Sequence, residues 1–440
     1  MVVDAGNLLW KTARLPEADR AQRLIKADLI ADAYALSGVD AVVPGDGDLA
    51  FGAAAWWEMM QDAHIPVVAA NLSCEGLPEL PGSRRLEVGG RTLGVIGVVG
   101  GTPEGCAVSD ATEAVSAELD ALGPVDALIL LSTLRNEDER ALAAKIPEID
   151  FIVNGHDRLT NSDPRALEGG AWQLSSGSRG KKLGVLDLIF EPGASGWQDM
   201  GAAASLAKRR DQFRDRLKDA ERLVAEATDD AARSRAERRV EFYEREITKL
   251  EAELALVTTT DGAPHNRFES RLVELGTEVG EHAATQALVD QAKAAIEQAG
   301  SAPQAGAPFA STAFVGSNFC QGCHLSEHQQ WASTGHANAW AALQKAQRQM
   351  DDDCFSCHVT GAFHPEGPQK PAQVGALVNV GCEACHGPGG QHTKAPTEHP
   401  MKAEVSVKTC TLCHDGEQDG GRFDYDAYLP KVLHTAAKPE

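Results

Sequence analysis

Near its carboxyl end the chain contains the pentapeptide Cys320-Gln-Gly-Cys-His324, and the same spacing of two cysteines and a histidine recurs three times. The repeats are CFSCH at Cys354–His358, CEACH at Cys382–His386 and CTLCH at Cys410–His414. Eight of the ten cysteines lie in these four units. The fold of this part of the chain must therefore accommodate four Cys-x-x-Cys-His units in close succession.

Each unit has the spacing at which a haem is attached covalently. Two thiols separated by two residues can each form a thioether with one vinyl group of a haem, and the histidine that follows then reaches the iron. Paired Cys-x-x-Cys units also build zinc ribbons, but zinc gives no reason for a histidine after every second cysteine. The sequence therefore predicts four covalently attached haem c groups. The attaching cysteines are Cys320, Cys323, Cys354, Cys357, Cys382, Cys385, Cys410 and Cys413, and the proximal iron ligands are His324, His358, His386 and His414.

A six-coordinate haem iron needs a second axial ligand, which must come from another part of the same region. Six further histidines are available there: His328, His336, His364, His392, His399 and His434. Residue types alone leave the choice among them open.

The segments FVGSNFCQGCH, WASTGHANAW, DCFSCHVTG, VGCEACHGPGGQH and FDYDAYLPKVLH cover most of Phe314–His434. This region resembles the tetrahaem cytochromes that accept electrons from hydroxylamine oxidoreductase. The resemblance implies that His336, His392 and His434 are the distal ligands. It also implies that His328, His364 and His399 are surface residues.

Four haems and three distal histidines leave one iron that can be five-coordinate, and we expect it at the Cys354/Cys357 attachment site. An open iron could bind nitric oxide or another small nitrogen or sulfur compound. The alternative is that His364 or Met350 fills the position. Trp331 and Trp340 are predicted to cover haem faces, because four macrocycles must form most of this domain's core.

The first part of the chain alternates short apolar runs with amphipathic patterns, which indicates a layered α/β domain. The candidate strands are Asp40–Val43, Ile65–Ala70, Leu93–Val99, Ala127–Leu131, Phe151–Val153 and Leu183–Phe190. The candidate helices are Leu24–Leu36, Ala53–Ala63, Ala111–Leu122 and Asp138–Ala144.

Residues 1–191 resemble the metallophosphoesterase domain of the 5′-nucleotidase family. The similar segments are VVDAGNLLW, AVVPGDGDLAFG, VVAANLSCE, LILLSTLR and FIVNGHDR. A two-metal phosphoesterase needs a bridging carboxylate and several Asp, His and Asn ligands.

Most of those ligands are replaced in this chain, although His156 is retained. The bridging Asp position holds Asn7, the Asn-His pair reads Asp46-Gly47, the next histidine position holds Thr133, and the last holds Arg158. We therefore expect no dimetal centre and a degenerate domain. The alternative is a rebuilt single-metal site of Asp4, Asp46, Asp48 and His156, whose ligands are hard or borderline.

Between these regions, the charged residues 205–256 carry apolar stripes at helical spacing, which predicts a helical hairpin or coiled coil. One stripe is Phe213, Leu217, Ala220, Val224 and Ala227, and the other is Val240, Tyr243, Ile247, Leu250 and Leu254. The predicted domains are 1–192 (α/β), 205–256 (hairpin), 265–298 (strand and helix), 299–312 (linker) and 313–440 (a mainly helical and irregular tetrahaem domain).

The net charge of −23 disfavours nucleic acid and anionic membrane surfaces as partners, since both need a basic face. It favours redox partner proteins with a basic docking face, and a homo-oligomer could form through the hairpin. No apolar stretch is long enough for a membrane span.

Bacterial haem attachment takes place outside the cytoplasmic membrane, so we expect a periplasmic or extracellular protein. The start of the chain shows neither an export signal nor the first metal motif of the phosphoesterase pattern. We therefore expect a truncated or mis-started reading of a longer protein. Cys74 and Cys106 could pair in an oxidising compartment, but the role we favour for them is that of buried small hydrophobic residues.

The sequence thus predicts a carrier of electrons with a non-catalytic α/β domain for docking or assembly. If the chain is an enzyme, we expect a haem oxidoreductase acting at an open iron rather than a hydrolase.

Overall fold

The computed structural model of this chain describes residues 1–10, 20–156, 163–177, 180–227, 229–258, 264–301, 312–416 and 421–434. They form two compact units. The first contains the described residues of 1–15 and 31–282, and the second those of 16–30 and 283–440. Arg158, Thr228 and most of the predicted linker, residues 302–311, lie outside the described residues.

The first unit is a layered α/β structure, as predicted. Its strands are β1 (Val3–Asp4), β2 (Ala41–Val42), β3 (Leu72–Cys74), β4 (Ser83–Val88), β5 (Arg91–Val98), β6 (Cys106–Val108), β7 (Ala127–Ser132), β8 (Phe151–Asn154), β9 (Arg165–Ala166), β10 (Trp172–Leu174), β11 (Lys182–Ile189), β12 (Trp197–Asp199) and β13 (Asn266–Glu274). Four sheets result, with the strand orders β1-β2, β3-β6, β4-β5-β7-β8-β10-β9 and β11-β13-β12.

The six-stranded sheet forms the centre of this unit. Strands β5, β7, β8 and β10 run parallel, and the edge strands β4 and β9 are antiparallel to their neighbours. Every residue of β7 is buried, as is typical of a parallel strand covered on both faces. Ile129 and Leu131 contribute to one apolar cluster, and Leu128 and Leu130 to the other, because successive side chains point to opposite faces.

The predicted helices of the first part of the chain are all present. Helix α1 (Arg20–Ser37) contributes its first residues, up to Ile30, to the second unit. The others are α2 (Ala53–Asp62), α3 (Ala111–Leu122) and α4 (Asn136–Lys145). The bounds of α3 follow from its caps: Asp110 accepts hydrogen bonds from the first turn, and Gly123, with φ of 64°, ends the helix.

The prediction of a strand at Ile65–Ala70 is wrong. The segment makes one bridge, between Val67 and Val42. Its amides donate to separate places, since Ala69 N–H bonds to the carbonyl of Pro81 and Ala70 N–H to that of Gly97. Its apolar side chains fill the core without forming a ladder with any one strand.

The two cysteines outside the haem motifs form a disulfide, which corrects the expectation that they act as buried small hydrophobic residues. Cys74 in β3 lies directly opposite Cys106 in the antiparallel partner β6. Cross-strand neighbours at such a position have their Cβ atoms close together, and this allows the bond. The pairing depends on a strand register that cysteine count alone does not reveal.

Replacing both cysteines by serine should lower the free energy of unfolding of the first unit. A bridge spanning 32 residues restricts the unfolded chain by about 3–4 kcal/mol. Urea unfolding of the C74S/C106S variant, followed by near-ultraviolet circular dichroism, measures the loss. The matched control is Ser73→Ala, at an exposed position of the same strand. A double variant as stable as that control would contradict the prediction.

Two long helices, α5 (Ala202–Glu226) and α6 (Asp230–Thr258), form the predicted hairpin. They run antiparallel, since only residues 227–229 separate them in the sequence, and Arg214 in the middle of α5 pairs with Glu251 in the last third of α6 at 2.7 Å. The residues of both predicted apolar stripes are buried or half-buried, with Ala220 and Leu250 almost fully enclosed.

The second unit consists of short helices joined by irregular segments, together with the start of α1. Its helices are α7 (Ala283–Ser301), α8 (Ser317–Cys320), α9 (Leu325–Ala332), α10 (Ala339–Lys345), α11 (Asp352–Phe355), α12 (Cys382–His386), α13 (Val407–Cys410) and α14 (Tyr425–Tyr428). Single 3₁₀ turns lie at Gly335–Asn338, Pro371–Gln373, Gly375–Leu377 and Leu429–Lys431, and the described residues of the first unit include such turns at Glu168–Gly170 and Thr277–Val279. Across the described part of the chain, no helix has the length and apolar character to cross a membrane.

A buried glutamate organises the second unit. Glu383, 3% exposed, accepts hydrogen bonds from the backbone amides of Val315, Gly316 and Gly389 at 2.7–3.2 Å. Residue 389 must be small, because a Cβ there would lie 3.0 Å from the carboxylate. Glu383 belongs to the third motif, so its side chain joins this motif and the residues that follow it to the segment before the first motif.

Replacing Glu383 by alanine should destabilise the second unit by about 3 kcal/mol or more, since each buried polar group left without a partner costs about 1–3 kcal/mol. Urea unfolding of the full chain, followed by circular dichroism, gives the free energy of unfolding. The control is Glu404→Ala, which removes an exposed carboxylate. Equal stability of the two variants would show that the three amides do not depend on Glu383.

Candidate haem sites

Each of the four motifs overlaps a short helix. The amide of His324 donates to the carbonyl of Cys320 at 2.9 Å, and His414 donates to Cys410 at the same distance. In the second motif the turn is tighter, since His358 donates to the carbonyl of Phe355 at 2.8 Å. Residues three and four apart face the same side of such a turn. The local backbone therefore presents the two sulfurs and the histidine together, as the spacing predicts.

Three of the four motif histidines face a second histidine ring. The ring centres of His324 and His392 lie 6.3 Å apart. Those of His336 and His414 lie 6.1 Å apart, and those of His386 and His434 lie 6.0 Å apart. Metal–imidazole bonds are about 2 Å long, so two rings that share one metal have their centres about 6 Å apart. The rings are too far apart to contact each other and have the separation that one metal ion between them requires.

The fourth motif histidine, His358, is different. Its Nδ1 bonds to the carbonyl of Ala339 at 2.7 Å, and within the described residues no other histidine ring faces it. The ring of His364 lies against Phe314, with centres 5.4 Å apart. Met350, the other alternative ligand, bonds through its carbonyl to Gln22.

Hydrogen bonds fix the tautomer of several of these imidazoles. The Nδ1 atoms of His386 and His392 bond to the carbonyls of Lys402 and His399 at 2.6 and 3.0 Å. A carbonyl only accepts, so Nδ1 carries the proton and Nε2 presents its lone pair. His434 makes the corresponding bond to the side-chain oxygen of Gln330 at 2.5 Å.

The electrostatic surroundings also favour the neutral imidazole. Burial lowers the pKa of His336, and the nearby His414 lowers it further. The pKa of His434 is lowered by burial and by His386. Neutral imidazole is the form that binds a metal.

The surface around the motifs fits large apolar groups. Four apolar side chains that lie within a motif, or next to a motif or a candidate distal histidine, are at least 50% exposed. They are Phe319, Leu325, Leu412 and Leu433. The only cluster of buried apolar residues in the described part of the second unit is small and consists of Phe355, Val359 and Val374. These residues fit haem, because macrocycles at the four motifs would cover the exposed side chains and supply the missing core.

His328 differs from the expectation that it is a surface residue. It is half-buried, and its Nε2 is shielded from solvent and has no hydrogen-bond partner among the described residues. Its ring packs against Trp331, whose indole N–H donates to the carbonyl of Val380. A buried polar atom without a protein partner fits a site that takes a further group. His399 is exposed, as expected.

Contacts between cysteine thiols of different motifs order the four sites. The thiol of Cys320 in the first motif lies beside that of Cys382 in the third, and the thiol of Cys357 in the second lies beside that of Cys413 in the fourth. Cys385 of the third motif lies near Cys410 of the fourth, and burial raises the pKa of its thiol to about 11. The attachment sites therefore follow each other in space in the order first, third, fourth, second.

In the first unit, two of the three carboxylates of the alternative metal site accept hydrogen bonds from protein donors. Asp4 accepts hydrogen bonds from the amide of Gly6 and the hydroxyl of Tyr34, at 2.8 and 2.9 Å. Asp48 accepts from the amides of Leu9 and Gly45, at 2.8 and 2.9 Å, while burial raises its pKa to about 6.

The loops around these carboxylates are closely packed. Asn7, with φ of 53°, donates to the carbonyl of Gly155, and a Cβ at residue 155 would overlap the carbonyl of Ala5. Thr133 accepts from the amide of Gly100, and His156 is exposed. Among the residues that the structure describes, no three His, Cys, Asp or Glu side chains, Asp46 included, come together as a site for a metal ion.

Comparisons with known proteins bear on both units. Residues 319–387 match the family described as cytochrome c554 and c-prime. Over 89 residues, 17% of this chain, the sequence is 34% identical to cytochrome c-554 of Nitrosomonas europaea, and the match covers 38% of that protein. The resemblance stated from the motifs is confirmed for this region.

Solved structures similar to the α/β part include phosphoesterases and a thiohydrolase. Sulfate thiohydrolase SoxB of Thermus thermophilus is 24% identical with a TM-score of 0.37, over 43% of this chain and 35% of its own. A 5′-nucleotidase precursor, also of Thermus thermophilus, is 20% identical with a TM-score of 0.35, over 43% and 42%. The calcineurin-like phosphoesterase YfkN of Bacillus subtilis is 22% identical with a TM-score of 0.35, over 44% and 72%. At these values the likeness says nothing about activity.

The carboxyl-terminal region is therefore similar to the cytochrome c554 and c-prime family, and this similarity implies covalently bound haem c.

Proposed function

We propose that the second unit binds four haem c groups and transfers electrons between protein partners. The observation that carries this proposal is the set of three histidine pairs with ring centres 6.0–6.3 Å apart, each containing one motif histidine. Bound haem supplies one-electron chemistry. The four attachment sites follow one another through neighbouring cysteines, so the chain holds its redox groups in one continuous series.

In this proposal each distal histidine comes from a different motif segment than its partner. His392 faces His324, His336 faces His414, and His434 faces His386. Nδ1 hydrogen bonds to carbonyl oxygens hold His386, His392 and His434 in the ligating tautomer. In this proposal His358 is the one axial ligand that the described residues supply to the second site.

The lone position of His358 favours a second candidate function. A site with one protein ligand has an open position for a small molecule, whereas a site with two histidines only passes electrons. This function is redox chemistry on a small nitrogen or sulfur compound at the site of Cys354 and Cys357.

The first unit, in this proposal, has no hydrolytic activity and serves docking or assembly. Asp4 and Asp48 already accept hydrogen bonds from backbone amides, and the nearby loops are packed against each other. The helical hairpin exposes Leu223 and Phe242 in a highly charged surface, which suits contact with a second copy.

The proposed location is the periplasm or the cell exterior, where bacterial haem c is attached. The cross-strand disulfide Cys74–Cys106 is consistent with an oxidising compartment. The net charge of −23 suits a partner with a basic docking face.

The electron paramagnetic resonance spectrum of the oxidised, haem-loaded protein should contain three low-spin haems and one high-spin haem. Nitric oxide, nitrite or hydroxylamine should change only the high-spin signal. His434→Ala should convert the haem at Cys382 and Cys385 from low spin to high spin, and so add a second high-spin signal. The control is His399→Ala, which removes an exposed ring and keeps the backbone carbonyl that His392 uses. Four low-spin haems in the unmodified protein would exclude the open site.

Added manganese should not induce phosphodiester hydrolysis by the full chain. The carboxylates that a metal would need are already bonded to amides, and displacing those amides leaves buried donors without acceptors. Hydrolysis of bis(p-nitrophenyl) phosphate, measured with and without manganese, checks this, and Asp48→Asn is the comparison variant. Saturable, manganese-dependent turnover that Asp48→Asn abolishes would contradict the prediction.

A further inference from the structure

The loop that leads into the second motif, residues 348–353, is held by a helix from the start of the chain. Residues 20–30 of α1 belong to the same compact unit as the four motifs, although Gln22 and Met350, for example, are 328 positions apart in sequence. Helix α11 begins at Asp352, within this segment, and carries Cys354. The position of α1 therefore bears on the second attachment site.

Gln22 fixes the loop backbone from two sides. Its amide nitrogen donates to the carbonyl of Met350 at 2.7 Å, and its amide oxygen accepts from the backbone amide of Asp352 at 2.9 Å. The side chain is 5% exposed, so both bonds are made away from water. A buried amide whose two ends are both bonded to the same loop defines the path of that loop.

Lys26, one turn further along α1, neutralises two aspartates of the same loop. Its ammonium lies 2.5 Å from Asp351 and 2.7 Å from Asp353. The side chain of Asp351 is 3% exposed and also caps α11 by accepting from the amide of Asp353. Arg23 adds a second cation, 2.7 Å from Asp353.

The pKa of Asp353 shows the effect of Lys26 and Arg23 on this carboxyl group. Burial of this carboxyl would raise its pKa, yet the opposite effects of Lys26 and Arg23 bring the pKa below its usual value. The ionised form of Asp353 is therefore favoured next to Cys354, and the cations of α1 compensate its charge.

The loop is enclosed from other directions as well. Gly300 of α7 packs so closely that a Cβ there would lie 2.7 Å from Met350, and Lys370 pairs with Asp352 at 2.9 Å. In the described residues, the segments that enter the other three motifs carry no ion pair of this kind. The second site, which has no facing histidine, is thus the one whose approach segment is fixed by charged contacts.

We propose that Gln22 and Lys26 are positioning residues for the second haem: through residues 350–353 they fix the attachment helix of Cys354 and set the charge beside it. The inference rests on the proposed function, since it assumes haem at this motif. It assigns to the start of the chain a direct part in the one site that has a free axial position.

The direction in which loss of Lys26 should change the midpoint potential of the second haem follows from charge. Lys26→Met leaves Asp351 and Asp353 with one cation fewer, and Asp351 is buried, where charges are poorly screened. Uncompensated negative charge stabilises the ferric state, which carries one more positive charge than the ferrous state. The midpoint potential of the second haem should therefore fall, and those of the other three should change less.

The test uses the full haem-loaded chain with Lys26→Met, Gln22→Leu, Lys26→Arg and Lys293→Met. Lys293 lines the same cavity as Lys26, but its only carboxylate partner among the described residues is Asp290 of its own helix, at 3.9 Å. Potentiometric titration followed by optical spectra gives the four potentials, and electron paramagnetic resonance gives the high-spin signal. Mass spectrometry of peptides counts the haems.

The proposal expects Lys26→Met to lower one potential and to broaden or shift the high-spin signal, with low-spin signals unchanged. Gln22→Leu should alter the high-spin signal without the fall in potential, and Lys26→Arg should resemble the unmodified protein. Loss of haem only from the Cys354–His358 peptide in Lys26→Met, restored in Lys26→Arg, supports the same conclusion.

Two outcomes would overturn the inference. One is an unchanged high-spin signal and unchanged potentials in Lys26→Met. The other is an equal fall in potential in Lys293→Met, which would indicate a general effect of surface charge. If the unmodified protein shows no high-spin haem, the open-site proposal fails separately, and the shift of one potential among four still tests the role of Lys26.

Discussion

The second unit depends on three pairs of imidazole rings that face each other with their centres 6.0–6.3 Å apart. The three pairs join residues 324 and 392, 336 and 414, and 386 and 434, so each pair links segments that lie 48–78 positions apart. The first and third motifs also exchange contacts through Cys320 and Cys382. Three such links, each of one fixed length, determine how segments with little regular secondary structure meet. A conventional apolar core is not needed to do so.

The protein scaffold nevertheless has to hold those segments with groups of its own. Buried charge serves this purpose in two places. Glu383 gathers three backbone amides around the first and third motifs, and Lys26 neutralises two aspartates before the second. Charged groups are costly to bury unless they are fully bonded, and for that reason they tolerate few alternative arrangements. Because a displaced charge would lose its bonding partners, these groups hold the motifs in defined positions.

The parts that sequence predicted well are those in which one local pattern fixes the geometry. Helix α3 and strand β7 appear as expected, since capping residues and continuous apolar runs act within a few positions. The parts that sequence missed depend on partners far away in the chain. The short strands β3 and β6 and the disulfide between them are recognisable only once their register is known. The failure at Ile65–Ala70 has the same cause, because apolar composition does not reveal which amides will bond.

The same distinction between local patterns and distant partners applies to the candidate haem sites. The cysteines and proximal histidines follow from spacing alone, whereas the distal histidines required a family resemblance, because nothing near His434 in sequence points to His386. The roles of Gln22, Lys26 and Glu383 were not predictable, since a glutamine or a charge on a helix is usually solvated.

The first unit shows how carboxylates shielded from water are held by donors of the protein itself. Asp48 is buried and Asp4 half-buried, and such a carboxylate needs donors whether or not a cation is present. Backbone amides and Tyr34 supply those donors. Each of these hydrogen bonds occupies a lone pair that a metal ion would otherwise use. Acidic residues in such loops are therefore weak evidence of a metal site unless their hydrogen-bond partners are known.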